Sequence, residues 1–293
     1  MWIERTKTVN GRKIFLIEQD ISGLAETYSH EHHKANRAHV SNVRPETRIE
    51  PVSAQRYGCI THSSDAEALV AKGWAEGAER IDALRRTLRS TVKPPLSRKR
   101  RQIWSDDGET LDADRALAGQ WDTAFRTTKR AMVRAPAMVS ILVNWGGNWS
   151  VAAEQLFWQG AQAVVLSDIL EDAGYRTRIT AVGAVDSYRN VKASVIHVKD
   201  HGEPLRIDAV ASIICHGGVY RCFGFAQTVL APWDVGGSLG CHLDIAEARR
   251  ILEDADEWPS DALAMSDAYD QDRAAENVAR ALAAIERGQE EAA

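Results

Sequence analysis

Two stretches of the sequence put usable chemistry side by side. In ILVNWGGNW, residues 141–149, apolar strand residues run into Asn144-Trp145-Gly146-Gly147-Asn148-Trp149. Asn144 and Asn148 offer amide oxygens, and the glycine pair lets backbone come close to a ligand. Further along, Cys215 precedes His216, the residue types of a thiol nucleophile and its base. Side chains adjacent in sequence seldom point together, and Gly217 ends a helix there. A hydrolase would therefore need Cys215 in an open cleft with His216 or His242 in reach. His30, His32, His33 and His39 form a third cluster, but no cysteine or carboxylate stands at a structural zinc spacing from them. They read as a solvated polar loop. The run SRKRR, 97–101, could touch phosphate, but acidic residues follow at once, so it reads as a solvated linker.

The elements that position these groups follow from periodicity. Residues 138–144 read as a strand, and a helix over about 150–173 carries Ala152, Leu156, Ala163, Leu166 and Leu170 on neighbouring turns. Gly174 stops it. RTRITAVGAV (176–185) and VKASVIHVKD (191–200) alternate as strands, and their short connection predicts a hairpin. Two helices broken at Gly217-Gly218 follow, then the loop GGSLG (236–240), a helix at about 243–254, a strand at 261–266 ending in Ser266-Asp267, and a helix at about 272–287. Upstream, Ser64 and Glu67 read as a capping box for a short helix, with a second helix over about 76–89. Pro94-Pro95 marks a boundary, and a short helix follows over 111–118. The division expected is a mostly helical region over 1–90, a linker and approach segment over 91–136, and an α/β domain over 137–293. Strands alternating with helices predict a mainly parallel sheet with helices on both faces. Val143, Ala181, Ile196 and Leu263 are expected in its buried strands.

Such sheets bind ligands outside the carboxyl ends of their strands. Asn144-Trp145-Gly146-Gly147-Asn148, Ser238 and Asp267 would meet there. Their order and spacing resemble the von Willebrand factor type A domain over about 137–290. The metal-ion-dependent adhesion site of that family takes Asp-x-Ser-x-Ser from the first strand end, a Thr from a later loop and an Asp from the fourth strand. Asn144, Gly146 and Asn148 stand at the first three positions, Ser238 at the Thr, and Asp267 at the last Asp. The resemblance implies a degenerate site, with at most weak Mg²⁺ on Asn144, Asn148, Ser238 and Asp267, because a carboxylate and a hydroxyl are lost. The bland alternative is that Gly146, Gly147 and Asn148 simply turn the chain and cap the helix. Trp145 and Trp149 flank the loop, either as core or as an aromatic contact for a partner.

The segment DGETLD (107–112), between a basic stretch and the first strand, is similar to the approach to this domain in cobaltochelatase-type and nitric-oxide-reductase-activating subunits. Those subunits work beside MoxR-type AAA+ ATPases. The resemblance therefore implies a non-enzymatic interaction subunit acting with such an ATPase through Asn144, Trp145, Gly146, Asn148, Trp149, Ser238 and Asp267. A phage or mobile-element protein using the fold for assembly is the first rival, and the Cys215 hydrolase the second. The 293 residues carry a formal net charge of −5, which argues against wholesale nucleic-acid binding. No apolar run reaches the roughly 18 residues of a membrane span, and the N-terminal stretch lacks an apolar signal region. Cytoplasm is the default expectation.

Overall fold

The computed structural model describes residues 2–9, 11–21, 57–58, 60, 62–91, 100–108, 110–130, 138–148, 150–187, 190–224, 242–255 and 262–291. Their elements run in the order β1 (Trp2–Val9), β2 (Arg12–Asp20), α1 (Ser63–Lys72), α2 (Ala75–Thr91), β3 (Arg100–Ser105), β4 (Thr110–Leu111), α3 (Ala113–Leu117), β5 (Phe125–Arg130), β6 (Met138–Asn144), α4 (Ala153–Asp172), β7 (Arg176–Ser187), β8 (Asn190–Lys199), α5 (Ile207–Ile214), α6 (Ile245–Asp254), β9 (Ala262–Ala264) and α7 (Gln271–Glu291). The periodic segments after residue 137 fall where hydrophobic patterning puts them, within a few residues at their ends.

The main sheet has six strands in the order β1-β2-β8-β7-β6-β9. It is mixed rather than mainly parallel. The pairs β2/β8, β6/β7 and β6/β9 are parallel, while β1/β2 and β7/β8 are antiparallel hairpin partners. The expected hairpin of β7 and β8 is present, and a second hairpin adds to it. That one adds a strand pair to the N-terminal region, where α1 and α2 also lie. Val9 pairs with Arg12 across a tight turn, and Gly11 takes φ +77°. Asn-Gly is the residue pair such a turn demands, and Ile14 and Leu16 of β2 are buried in the core.

Both faces of the sheet are covered. One packs against α1, α2, α4, α5 and α7 in a core that includes Ile141, Val143, Phe157, Leu166, Ile179 and Ile196. The other packs Leu142, Val182 and Val191 against Leu243, Ile245, Ala248 and Ile251 around α6. Of the four expected strand residues, Val143, Ala181 and Ile196 are fully buried and Leu263 is partly buried. α4 is the central helix, and α2 is tied to it by Arg85 and Arg89 reaching Asp168, with Arg89 also on Asp172. At the start of α1 the capping residue is His62, not Ser64. Its backbone N–H donates to Asp65 Oδ2 at 2.8 Å. A separate three-stranded sheet, β3-β5-β4, is formed by residues 100–130.

Candidate functional site

β6 and β9 are adjacent and parallel, so their carboxyl ends open on the same edge of the sheet. That places Asn144 beside Asp267: Asn144 Nδ2 donates to Asp267 Oδ1 at 3.0 Å and to the Leu243 carbonyl at 3.3 Å. Asn148 comes to the same place through its Oδ1, which accepts from the His242 backbone N–H at 3.1 Å. Three of the expected residues thus converge. Ser238 and Trp149 lie outside the described residues, as do the four clustered histidines.

His242 completes the group. It is held there because residues 242 and 243 lie antiparallel against the end of β7, with His242 bridging Val185 and the Leu243 N–H donating to the Ala184 carbonyl at 2.9 Å. Its Nε2 meets Asn144 Oδ1 at 2.9 Å, and its Nδ1 lies 3.5 Å from the Tyr220 hydroxyl. With Asn144 Nδ2 facing two acceptors, Asn144 Oδ1 must accept, so His242 Nε2 carries the proton and Nδ1 is the acceptor that faces the Tyr220 hydroxyl. Burial pushes the His242 pKa down to about 4, which keeps the ring neutral at pH 7. Asp267 is raised, first by burial, against the Asn144 donor; Asp244 raises it further and the Ile245 N–H lowers it. Tyr220 is pushed up to about 12, mainly by burial.

Gly146 makes room for this histidine. A Cβ there would lie 2.2 Å from His242 Cε1, and Gly146 has φ +150°. The imidazole therefore crowds the position where the resemblance has its first serine. Asn144 Oδ1, Asn148 Oδ1 and the Asn144 amide nitrogen are all engaged by protein groups, and of the described carboxylates near by, Asp267 accepts from Asn144 and Asp244 caps α6. Mg²⁺ needs several oxygens free to turn to it in near-octahedral geometry. Among the described residues this donor set does not fit that ion.

Buried amides hold the loops beneath. Gln159 on α4 donates to the carbonyls of Asn144 at 2.8 Å and Gly146 at 3.1 Å. Gln162 donates to the Ser266 carbonyl at 2.8 Å, and Asn277 on α7 donates to the same carbonyl at 2.9 Å and to Gln162 Oε1 at 2.9 Å. A buried backbone group without a partner costs about 1–3 kcal/mol, so these three side chains set the shape of both loops. Sequence reasoning missed them. Their signal was two glutamines three residues apart inside an otherwise apolar helix.

Trp145 is core. It is 2% exposed, donates its indole N–H to the Ile213 carbonyl at 3.0 Å and meets Tyr220 edge-to-face. It offers no surface to a partner, which corrects that part of the expectation. Gly146 is likewise buried, whereas Asn148 is exposed and Asp267 partly so. A cleft beside His242, bordered by Trp145, Lys192, Ser194, Tyr220 and Gly224, has a volume of about 30 Å³, space for roughly two waters. Burial lowers the Lys192 pKa to about 8.

Cys215 does not lie in an open cleft. It is 1% exposed, its Sγ faces Gly160 of α4, and burial pushes the thiol up, away from the reactive thiolate. His216 turns elsewhere: its Nδ1 accepts from the Gly218 N–H at 3.2 Å, its ring meets Trp74 at 4.7 Å, and burial lowers its pKa to about 4.

The chain belongs to the family described as a domain of unknown function (DUF7192), whose model matches residues 24–286. The match begins after the β1-β2 hairpin and takes in all the residues of the sheet edge. No curated protein matches, and no solved structure does.

Proposed function

We propose that this protein is a non-enzymatic interaction subunit that acts with a MoxR-type AAA+ ATPase through the sheet edge around Asn148 and Asp267. The observation that carries the reading is the convergence of Asn144, Asn148 and Asp267 on His242 at the ends of β6 and β9. On this reading protein hydrogen bonds stand where the adhesion site of that family would hold a cation. The von Willebrand A-like fold belongs to the same proposal. Support comes from the first strand and the Asp-bearing strand being neighbours, and from a helix, a strand hairpin and a helix lying between them.

The chemistry of the edge also favours binding over catalysis. In the series Asp267–Asn144–His242–Tyr220, the amide in the middle cannot pass a proton between carboxylate and imidazole. A histidine held near pKa 4 is a weak base at neutral pH. What remains is a polar surface with exposed Asn148, Asp244 and Tyr269 around a half-buried carboxylate.

The test is capture of a purified MoxR-type ATPase on immobilised protein, wild type against Asn148→Arg. Asn148 is exposed, so the arginine is expected to leave the melting temperature within about 2 °C while weakening capture at least about tenfold, the scale of a hot-spot loss. Equal capture by both proteins, or none by the wild type, would remove the sheet edge from the account.

A further inference from the structure

Lys192 stands on a face of the sheet that is otherwise packed with apolar side chains. Side chains alternate across a strand, so on β8 Lys192 and Ser194 share the face of Ile196, the one that packs on α4. Their partners on β7 are Val185 and Gly183, and Ile17 on β2 lies beside Ser194. His242 bridges Val185 from the far side of β7 and brings its ring over Gly183 on the same face. Trp145, Tyr220 and Gly224 close the bowl so formed, which is the cleft of about 30 Å³ beside His242. Val185 and Ser194 are partly exposed, which gives a ligand a way in.

The charge of the cleft has one sign. Lys192 is 6% exposed, and its pKa near 8 leaves most of the amine protonated at pH 7. His242 is neutral there. Among the described residues that border the cleft none carries a carboxylate. Asp186, which follows Val185, shares the opposite face with Val191 and pairs with Arg12. An ammonium has three donors, so it can hold a protein acceptor and take a ligand oxygen as well. An anion that enters the cleft stabilises this buried cation through a charge-assisted hydrogen bond.

We propose that the cleft binds a small aliphatic monocarboxylate, of acetate or propionate size, with its carboxylate on the Lys192 ammonium and the Ser194 hydroxyl and its carbon tail against Ile17, Trp145 and Tyr220. Space for roughly two waters matches the two oxygens of one carboxylate. One cation matches one negative charge, whereas phosphate carries more than one at pH 7. Among the described lining residues there is no arginine, the side chain whose fork suits phosphate. The site lies on the α4 face and needs no partner protein, so it stands or falls separately from the ATPase reading.

The experiment is calorimetric titration of the full chain at pH 7, in a buffer without carboxylates, with acetate, propionate, phosphate and N-acetylglycylglycine. Wild type is run beside Lys192→Met, which keeps the length of the side chain and removes its charge, and Ser194→Ala at a partly exposed position. Melting temperatures are measured on all three. Propionate is expected to bind the wild type with a dissociation constant of about 0.1–1 mM, a range open to a ligand of about five non-hydrogen atoms. Lys192→Met is expected to lose at least about tenfold, and Ser194→Ala about threefold. Phosphate and the peptide are expected to bind at least about tenfold more weakly than propionate. No binding of either acid by the wild type overturns the proposal, as does an unchanged affinity in folded Lys192→Met. If Lys192→Met does not fold, an unchanged affinity in Ser194→Ala overturns it alone. Phosphate binding as tightly as propionate refutes the monocarboxylate class, and tighter binding of the peptide gives the carboxylate to a polypeptide end in place of a free acid.

Discussion

Gly146 and His242 occupy each other's space, and that pairing decides what the sheet edge can do. Gly146→Ser, which would restore the serine that the resemblance expects, puts a Cβ 2.2 Å from the imidazole on a backbone at φ +150°. The ring is held by Asn144, so it cannot swing away freely. The substitution is expected to destabilise by about 1–3 kcal/mol, the usual cost of overpacking, and the double variant with His242→Ala to recover part of that loss. Denaturant unfolding of the two single variants and the double measures the coupling; purely additive effects would contradict the contact. A pH dependence follows from the same histidine. His242 and His216 sit near pKa 4 in the fold against an ordinary 6.5. The unfolded chain therefore binds more protons between those values, and stability falls as pH drops from about 6.5 to 4. The slope is up to about 1.4 kcal/mol per pH unit for each ring, less for the partly exposed His242. Asp267, raised by burial, works the other way over its own titration and softens the fall. Denaturant unfolding at pH 7, 5.5 and 4.5 checks this, with His242→Gln expected to show a shallower decline than wild type. At this scale the sequence revealed Asn144 and Asp267, because residues at strand ends are placed by the strands themselves. The role of His242 was hidden, since it lies in no periodic element and is fixed by a bridge to a strand more than fifty residues away.

Among the elements, α4 shows how close packing inverts a propensity rule. Alanine normally favours a helix over glycine by about 1 kcal/mol. At Gly160 a Cβ would lie 2.2 Å from the Ile214 carbonyl oxygen and 2.8 Å from Cys215 Sγ. Gly160→Ala is therefore expected to destabilise by about 1–3 kcal/mol, because α5 must move away. A stabilised variant in thermal unfolding would refute that contact. The N-terminal hairpin makes a second element-scale prediction. Leu16 is 3% exposed and faces the α6 side of the sheet. Leu16→Ala is expected to cost about 2–5 kcal/mol, and a loss below about 0.5 kcal/mol would mean that the hairpin is not part of the core. The helices and strands after residue 137 were legible because each buries one face and so keeps a period. The hairpin was not read, although Asn10-Gly11 announces it. Its strand β1 is mostly exposed and carries Glu4, Arg5 and Lys7, so no apolar run drew attention to it.

Across the whole molecule, the β1-β2 hairpin joins the expected β7-β8 hairpin and turns an expected mainly parallel sheet into a mixed one, yet the edge that gathers Asn144, Asn148 and Asp267 is still formed. Asn144 and Asp267 meet because β6 and β9 run side by side, and Asn148 joins them through His242 on the end of β7. Alternation of strand and helix revealed that much, while the loops that fill the edge carry no period to read. Among the described residues no helix is long and apolar enough to cross a membrane, and no group of three or more His, Cys, Asp and Glu is arranged to hold a metal. The central physical claim is that protein hydrogen bonds stand where an adhesion site would hold a cation. Isothermal titration of the full chain with Mg²⁺ and Mn²⁺, wild type beside Asp267→Ala, tests it most directly. The account predicts binding no tighter than about millimolar for both proteins, since carboxylate number tunes affinity for hard cations. Micromolar binding by the wild type, abolished in Asp267→Ala, would contradict it and return the ion to the sheet edge.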